Sequence, residues 1–443
     1  MLEELGEKKI LILGFGKEGR ETLKFLRKLF PNKIFGIADQ KPLSELSLKD
    51  ELLKKNVKLH LGKDYLKALK EYDLIIKSPG IPIHLPEIEQ AYRQRKITSE
   101  TKIFFENCKG KIVGVTATKG KSTTSTLIYK ILKAQGLKVH LVGNIGKPVL
   151  SFLLRCKEND IFVFELSSHQ LYDLKTSPHV AVFLNIYPEH LDYYKDFQEY
   201  LMAKANICLW QTEKDYLIYN AQDKNVSKVA KLSRAKKIPI TPSQIILKKL
   251  KIKKFPFAGK FYCLNIAAAA AVGQIFGAKS LTIKKVIENF KPLPHRLEYV
   301  GKFKGIEFYN DSLSTIPETT IAALDSLGKR VETLILGGFD RGLDFKKLAK
   351  EILKRKIKNL ILFPQTGDKI WRQILSLIKD DSKLPKAVLV QNMKDAVKLA
   401  FEMTQKGKIC LLSPASPSFG LFRDYRDRGN LFKKYVKYYG KKS

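Results

Sequence analysis

The chain has 443 residues, 44% of them hydrophobic and 28% charged, which is long enough for two to four globular domains and too apolar for a disordered polymer. Lys and Arg number 81 against 44 Asp and Glu, a net charge of +37 that suggests anionic partners, yet the basic residues are scattered and no nucleic-acid-binding signature accompanies them. The five cysteines, Cys108, Cys156, Cys208, Cys263 and Cys410, are widely spaced with no Cys-x-x-Cys, which argues against a disulfide scaffold or a thiolate zinc site.

In chain order, residues 8–13 read as a buried strand, followed by a glycine-rich turn and a helix through Leu29. Further strands are expected at 34–38 and 73–77, the latter running into Ser78-Pro79-Gly80-Ile81. The rhythm restarts with a strand at 111–116, the loop Ala117-Thr118-Lys119-Gly120-Lys121-Ser122-Thr123 and a helix from Ser122 to Gln135, stopped by Gly136. Strands follow at 138–142, 161–166 and 179–186, then a basic, irregular stretch at 231–258 and a helix from Asn265 to Phe276. After Pro292-Leu293-Pro294 a third cycle has strands at 331–337, 359–363, 387–390 and 408–412. Alternating strands and helices predict an α/β protein built on parallel sheets, in three domains at 1–103, 104–295 and 296–443. No run approaches 18 apolar residues and the acidic N-terminus leads straight into a strand, so a cytoplasmic protein without membrane insertion is expected.

Gly14-Phe15-Gly16-Lys17-Glu18-Gly19 lies between a strand and a helix, with Asp39 twenty residues past Gly19. Alone this reads as a dinucleotide site, since glycines let the backbone approach phosphate at a helix N-terminus. Gly120-Lys121-Ser122 is more specific. In a phosphate loop the amides cradle phosphates, the lysine reaches the terminal ones and the serine ligates Mg²⁺. The match is incomplete, because Val115 stands where that loop's first glycine belongs. Glu165 ends an apolar strand, where it either faces a ligand crevice or pairs with a lysine. His190 follows another strand end and by itself reads as structural. On the next helix Phe197, Leu201, Lys204 and Cys208 share one stripe. A lysine buried there would have a depressed pKa, and its neutral amine could take up CO₂ as a carbamate; the alternative is that it snorkels to solvent. Polar residues recur at later strand ends, in Asn310-Asp311-Ser312, Gly337 to Gly342 and Ser413 to Ser418.

Taken in order, these motifs resemble the Mur ligase family across nearly the whole chain, and the stretch Ser413-Pro414 to Arg428-Gly429 is most similar to its D-glutamate-adding branch. The resemblance also rests on Gly143-Asn144-Ile145-Gly146, Glu165-Leu166-Ser167-Ser168, Pro188-Glu189-His190-Leu191-Asp192, Ala203-Lys204-Ala205 and His295-Arg296-Leu297-Glu298. It implies a Rossmann-like N-terminal domain, a central P-loop ATPase-type domain and a Rossmann-like C-terminal domain. The implied activity is ATP-dependent amide ligation in peptidoglycan synthesis by a monomer, joining D-glutamate to UDP-N-acetylmuramoyl-L-alanine.

By this resemblance Gly14, Gly16, Asp39, Ser78, Gly80, Asn144, Ser167 and Gln170 bind the UDP substrate. Thr118, Lys119, Gly120, Lys121, Ser122, Thr123, Arg296 and Asp311 bind ATP. Thr315, Arg341, Ser418 and Tyr425 bind the amino acid. Two Mg²⁺ ions are held by Ser122, Glu165, His190 and Lys204, the last as its CO₂-derived carbamate, and Lys121, Lys204 and His190 are the catalytic set. The chain departs from the family at Ala117, Phe261-Tyr262, Leu313, Ile316, Arg341 and His169. Adenine recognition and the choice of amino acid are the steps these changes touch. A nicotinamide-dependent oxidoreductase and a ligase for another amino acid are the competing readings.

Overall fold

Strands without polar alternation are buried on both faces, the condition for parallel sheets covered by helices. Ile10–Leu13 (β1) is buried at every position. With Phe35–Asp39 (β2), Val57–Leu61 (β3), Leu74–Lys77 (β4) and Ile97–Thr98 (β5) it forms a parallel sheet of order β3-β2-β1-β4-β5. The order reverses between β1 and β4, so Gly14 and Ser78 leave adjacent strands at the switch point, where such sheets bind ligands.

The computed structural model describes all residues except 1, 3, 43, 44, 46–54, 191, 192, 244–247, 253–259, 379, 381, 383, 442 and 443. Leu191 and Asp192 of the histidine motif, Lys253 to Ala258 of the basic stretch and Lys442 of the basic tail therefore lie outside the described residues.

The second sheet comprises Lys111–Thr116 (β6), Val139–Gly143 (β7), Ile161–Glu165 (β8), Val180–Phe183 (β9), Tyr216–Asn220 (β10) and Lys236–Ile240 (β11). It is parallel throughout, in the order β11-β10-β9-β6-β8-β7. The third holds Glu298–Phe303 (β12), Ile306–Asn310 (β13), Val331–Gly338 (β14), Asn359–Gln365 (β15), Lys386–Leu389 (β16) and Ile409–Leu412 (β17). Its order is β12-β13-β17-β14-β15-β16, with β12 antiparallel to β13 and the other pairs parallel.

The α/β class is as expected, with three corrections. The stretch 231–258 is not irregular throughout. It contains β11, preceded by the helix Lys224–Leu232, and Pro239 is tolerated because β11 is an edge strand. The alanine-rich helix begins at Lys260, five residues before Asn265. The third sheet is mixed, since a hairpin supplies its edge. The helix Glu100–Asn107 runs through the boundary expected at 103. The chain divides into two compact units, Met1–Leu250 with Leu264–Ile287 and Lys251–Cys263 with Glu288–Ser443, so the first two sheets share one unit. Among the described residues no helix is long and apolar enough to cross a membrane.

Glu100 opens the helix that joins the first two sheets, 7% exposed, with Oε1 accepting from the Val149 amide at 3.2 Å. Burial, with the nearby charge of Glu18, pushes its carboxyl up to about 8. Between its ordinary value near 4.5 and about 8, the folded chain keeps a proton that the unfolded chain has lost. Its contribution to stability therefore falls as pH rises through that window. Glu100→Gln is expected to raise the urea midpoint at pH 8 more than at pH 5. An equal change at both pH values would contradict the buried-acid assignment.

Candidate active site

The phosphate loop leaves β6 and turns into the helix Lys121–Ala134 through Gly120, whose φ of +97° favours glycine. The loop is clamped from β9. Asn185 accepts from the Lys119 amide at 3.0 Å, donates to the Lys119 carbonyl at 2.8 Å, and its own carbonyl takes the Thr118 amide at 2.9 Å. Those two amides are committed to Asn185. Thr118 Oγ1 adds a bond from the Tyr187 amide at 2.9 Å and lies 3.1 Å from the Tyr200 hydroxyl. Ser122 and Thr123 are buried in that first turn.

Two lysines converge on one carbonyl. Lys121 Nζ donates to Ala117 O at 2.8 Å and to Thr118 O at 3.1 Å, and Lys204 Nζ donates to Ala117 O at 3.0 Å. Lys204 is 2% exposed on the helix Phe197–Leu209, so it does not snorkel. Asp196 caps that helix by accepting from the Glu199 amide at 2.8 Å. Burial, then repulsion from Lys121, holds the Lys204 amine well below its ordinary pKa, in spite of Glu189 and Glu165.

Carboxylates and imidazoles complete this region. Glu165 ends β8, is 4% exposed, and has an Oε2 with no hydrogen-bond partner. Glu189 pairs with Lys119 at 2.9 Å. Its burial opposes ionisation, but Lys119 and His190 outweigh that and hold the carboxyl at about 2. His190 has a φ of +60°, a strained conformation for a residue with a side chain. Its ring centroid lies 4.9 Å from that of His169. Burial, together with His190, Lys204, Lys77 and Lys121, keeps His169 neutral down to about pH 3.

At the first switch point, Ser78 Oγ donates to Gly14 O at 2.9 Å, and a Cβ on Gly14 would meet Ser78 at 2.9 Å. Asp39 accepts from the Phe15 amide at 2.6 Å and the Lys41 amide at 2.9 Å, so its carboxylate holds the turn. Around Gly16 and Gly80 the space is open within 4 Å of a built Cβ, so protein packing does not require glycine there. Ser167 and Gln170 form a capping box, and Gln170 Nε2 reaches Glu18 Oε1 at 3.3 Å. Asn144 lies where β7 and β8 end, its amide 3.3 Å from Glu165 O. It lines a cavity of about 150 Å³ with Lys17, Glu18, Glu100, Thr101 and Gln170.

In the C-terminal unit, Asp311 accepts from the Leu297 amide at 3.0 Å, from Ser413 Oγ at 2.9 Å and from Ser314 Oγ. Burial pushes its carboxyl up to about 6, against these bonds and the charge of Arg296. Arg428 is fully buried. It donates to Ser312 Oγ at 3.0 Å, Ser312 O at 2.8 Å, Ser416 O at 3.0 Å and Pro417 O at 3.2 Å. It thereby ties the loop after β13 to the loop after β17. Tyr425 O accepts from Ser312 Oγ at 2.8 Å. The exposed Arg341 has its guanidinium 5.6 Å from the ring of Phe419, the neighbour of buried Ser418. Thr315 is half-buried one residue beyond Ser314.

The residues expected around the central loop, from Thr118 to Thr123 with Glu165, His190 and Lys204, thus lie in one unit about the ends of β6, β8 and β9. Arg296 and Asp311 lie together in the other unit, as do the four expected amino-acid contacts. Sequence reasoning missed Asn185, Glu189 and Arg428 as positioning groups. It also missed Asn265, which is 4% exposed with Oδ1 unpartnered, and that oxygen would lie 2.6 Å from a Cβ on Gly120. Glu189 and Arg428 sit inside recognised motifs, which was the available signal.

Three family models match consecutive parts of the chain: the Mur ligase MurD-like N-terminal domain over residues 8–98, the Mur ligase middle domain over 115–273 and the Mur ligase glutamate ligase domain over 295–416. A UDP-N-acetylmuramoylalanine--D-glutamate ligase from Clostridium botulinum is 35% identical over 450 residues, covering 97% of this chain and 96% of the relative. The enzyme of that name from Acetivibrio thermocellus is 33% identical, covering 98% and 97%. Among solved structures, the UDP-N-acetylmuramate-alanine ligase MurC of Thermotoga maritima superposes with a TM-score of 0.58 at 16% identity, over 98% of this chain and 99% of that one. MurF ligase of the same organism gives 0.59 at 17% identity, over 97% and 95%. The fold is shared with both.

Removing Arg428 leaves three buried carbonyls and a serine hydroxyl without their donor. Arg428→Ala is expected to lower the unfolding free energy by about 2–5 kcal/mol in urea titration. An unchanged midpoint would show that the strand-end loops do not depend on it.

Proposed function

The chain belongs to the Mur ligase family, and from that premise we propose that it joins D-glutamate to UDP-N-acetylmuramoyl-L-alanine through an acyl phosphate. ATP-dependent amide ligation in peptidoglycan synthesis is the activity of the family. The observation that carries the reading at this site is the convergence of Lys121 and buried Lys204 on the Ala117 carbonyl beside the orphaned Glu165 oxygen. A dinucleotide-dependent oxidoreductase gives those groups no role.

In the proposed reaction an oxygen of the substrate carboxylate attacks the γ-phosphorus of ATP and ADP leaves. The D-glutamate amine then attacks the acyl carbon, and the tetrahedral intermediate collapses to the amide with loss of phosphate. Lys121 turns from the loop carbonyls to the terminal phosphates and offsets their charge as the phosphoryl group moves. Lys119, drawn toward Glu189, keeps a second cation at the loop. Asn185 holds the loop rigid, so that little reorganisation is needed when phosphate arrives. Asn265 offers its unpartnered amide oxygen to the nucleotide, a role that would compensate for Tyr262.

The donor set fits two magnesium ions. Glu165 with Ser122, and His190 with the carbamate of Lys204, would hold them, and they would supply charge neutralisation and orientation of the phosphates. The lowered pKa of the buried Lys204 amine suits carbamate formation: its nitrogen adds to CO₂ and one proton is lost. The carbamate would lie beside Lys121, which offsets its charge.

We assign Gly14, Gly16, Asp39, Ser78, Gly80, Asn144, Ser167 and Gln170 to the UDP substrate. Open space at Gly16 and Gly80 supports this, with Asp39 acting through the turn it holds. Arg296 and Asp311 are assigned to ATP, and Thr315, Arg341, Ser418 and Tyr425 to D-glutamate. The domains proposed for these roles are 1–103, 104–295 and 296–443, acting as a cytoplasmic monomer.

Two outcomes are expected. Phosphate release with Mg²⁺ and bicarbonate should require both UDP-N-acetylmuramoyl-L-alanine and D-glutamate. Release with another amino acid in place of D-glutamate would reassign the substrate, and none with any would overturn the ligase reading. Lys204→Ala should lose activity by at least about 100-fold. Small carboxylates should restore part of it, and wild-type-like turnover without them would remove the carbamate role.

A further inference from the structure

Cys108 and Cys156 are 48 positions apart in sequence, and their sulfurs are 3.6 Å apart in the fold. Both thiols are free and half-buried, whereas Cys208, Cys263 and Cys410 are buried. Cys108 ends the helix Glu100–Asn107, two residues before Gly110 and three before β6. Cys156 lies between the helix Leu150–Leu153 and β8. Both sulfurs hydrogen-bond weakly to nearby carbonyls, Cys108 to Gly110 O at 3.6 Å and Cys156 to Lys157 O at 3.8 Å. A sulfur–sulfur bond needs an approach of about 1.5 Å to reach its length near 2.05 Å.

We propose that Cys108 and Cys156 form a reversible disulfide under peroxide, stapling the end of the inter-sheet helix to the segment that precedes the Glu165 strand. Burial and the neighbouring Cys156 push the Cys108 thiol up to about 12, which disfavours Cys108 as the attacking thiolate. The first step is assigned to Cys156. Its thiolate attacks one peroxide oxygen, giving a sulfenic acid and, after protonation, water. The Cys108 sulfur then attacks the Cys156 sulfur and displaces hydroxide, which leaves as water with the Cys108 proton. Two thiols and one hydrogen peroxide give one disulfide and two waters. The pair is oxidised by two electrons, and a dithiol reverses the step by exchange. Because the bond closes a long loop between segments already adjacent, it stabilises the folded chain rather than rearranging it.

The test is intact-mass spectrometry of the full chain before and after hydrogen peroxide, with non-reducing peptide mapping and thermal unfolding alongside. A loss of 2 Da, a peptide linking Cys108 to Cys156 and a melting temperature several degrees higher are expected, all reversed by dithiothreitol. Cys108→Ser and Cys156→Ser should each lack the 2 Da loss and the thermal shift. Gains of 16 or 32 Da with no linked peptide would overturn the proposal, as would a 2 Da loss that persists in either variant. Peptide mapping of the unmutated chain decides the matter even if a serine variant does not fold.

Discussion

The Ala117 carbonyl is the point on which the central site depends. One oxygen accepts from both Lys121 and Lys204. Two ammonium groups this close in a buried place repel one another, and burial with that repulsion holds the Lys204 amine well below its ordinary pKa. That constraint distinguishes the two lysines: Lys121 also donates to the Thr118 carbonyl, whereas Lys204 is 2% exposed. The surroundings preserve the distinction. Lys119 is occupied by Glu189, and His169 is held neutral by burial and then by the cations around it.

The same logic explains the net charge of +37. Among the described residues, the buried lysines and arginines are Lys77, Lys204 and Arg428. Each is held by carbonyl oxygens: Lys77 by Ile81 O at 3.0 Å, Lys204 by Ala117 O and Arg428 by three carbonyls. Carbonyl oxygens satisfy a buried donor without neutralising it, so burial lowers the pKa of each: Lys77 to about 8, Arg428 to about 9 and Lys204 well below its ordinary value. Most of the other described lysines and arginines are at least partly exposed, where they add solubility and attract anions over a distance.

Legibility in the sequence followed burial. Buried, largely apolar runs such as Ile10–Leu13 and Ile161–Glu165 announced themselves as parallel strands. Some polar edge strands did not. Lys236–Ile240 carries two lysines and a proline, and Glu298–Phe303 pairs antiparallel at the edge of its sheet. The stripe of Leu201, Lys204 and Cys208 gave the right face of its helix, but only the packed structure showed that Lys204 stays inside. Asn185, Asn265 and Arg428 act through partners that no local spacing reveals; Arg428 and Ser312 are 116 positions apart. The Cys108–Cys156 pair is a further case, since wide spacing in sequence hid adjacency in space.

The central proposal is that the buried Lys204 amine, its pKa held well below the ordinary value, takes up CO₂ as a carbamate. Carbon-13 NMR of the full-length protein in labelled bicarbonate tests it most directly. One carbamate carbonyl signal should appear at neutral pH and be absent from Lys204→Ala. No signal in the wild type, or the same signal in the variant, would contradict it.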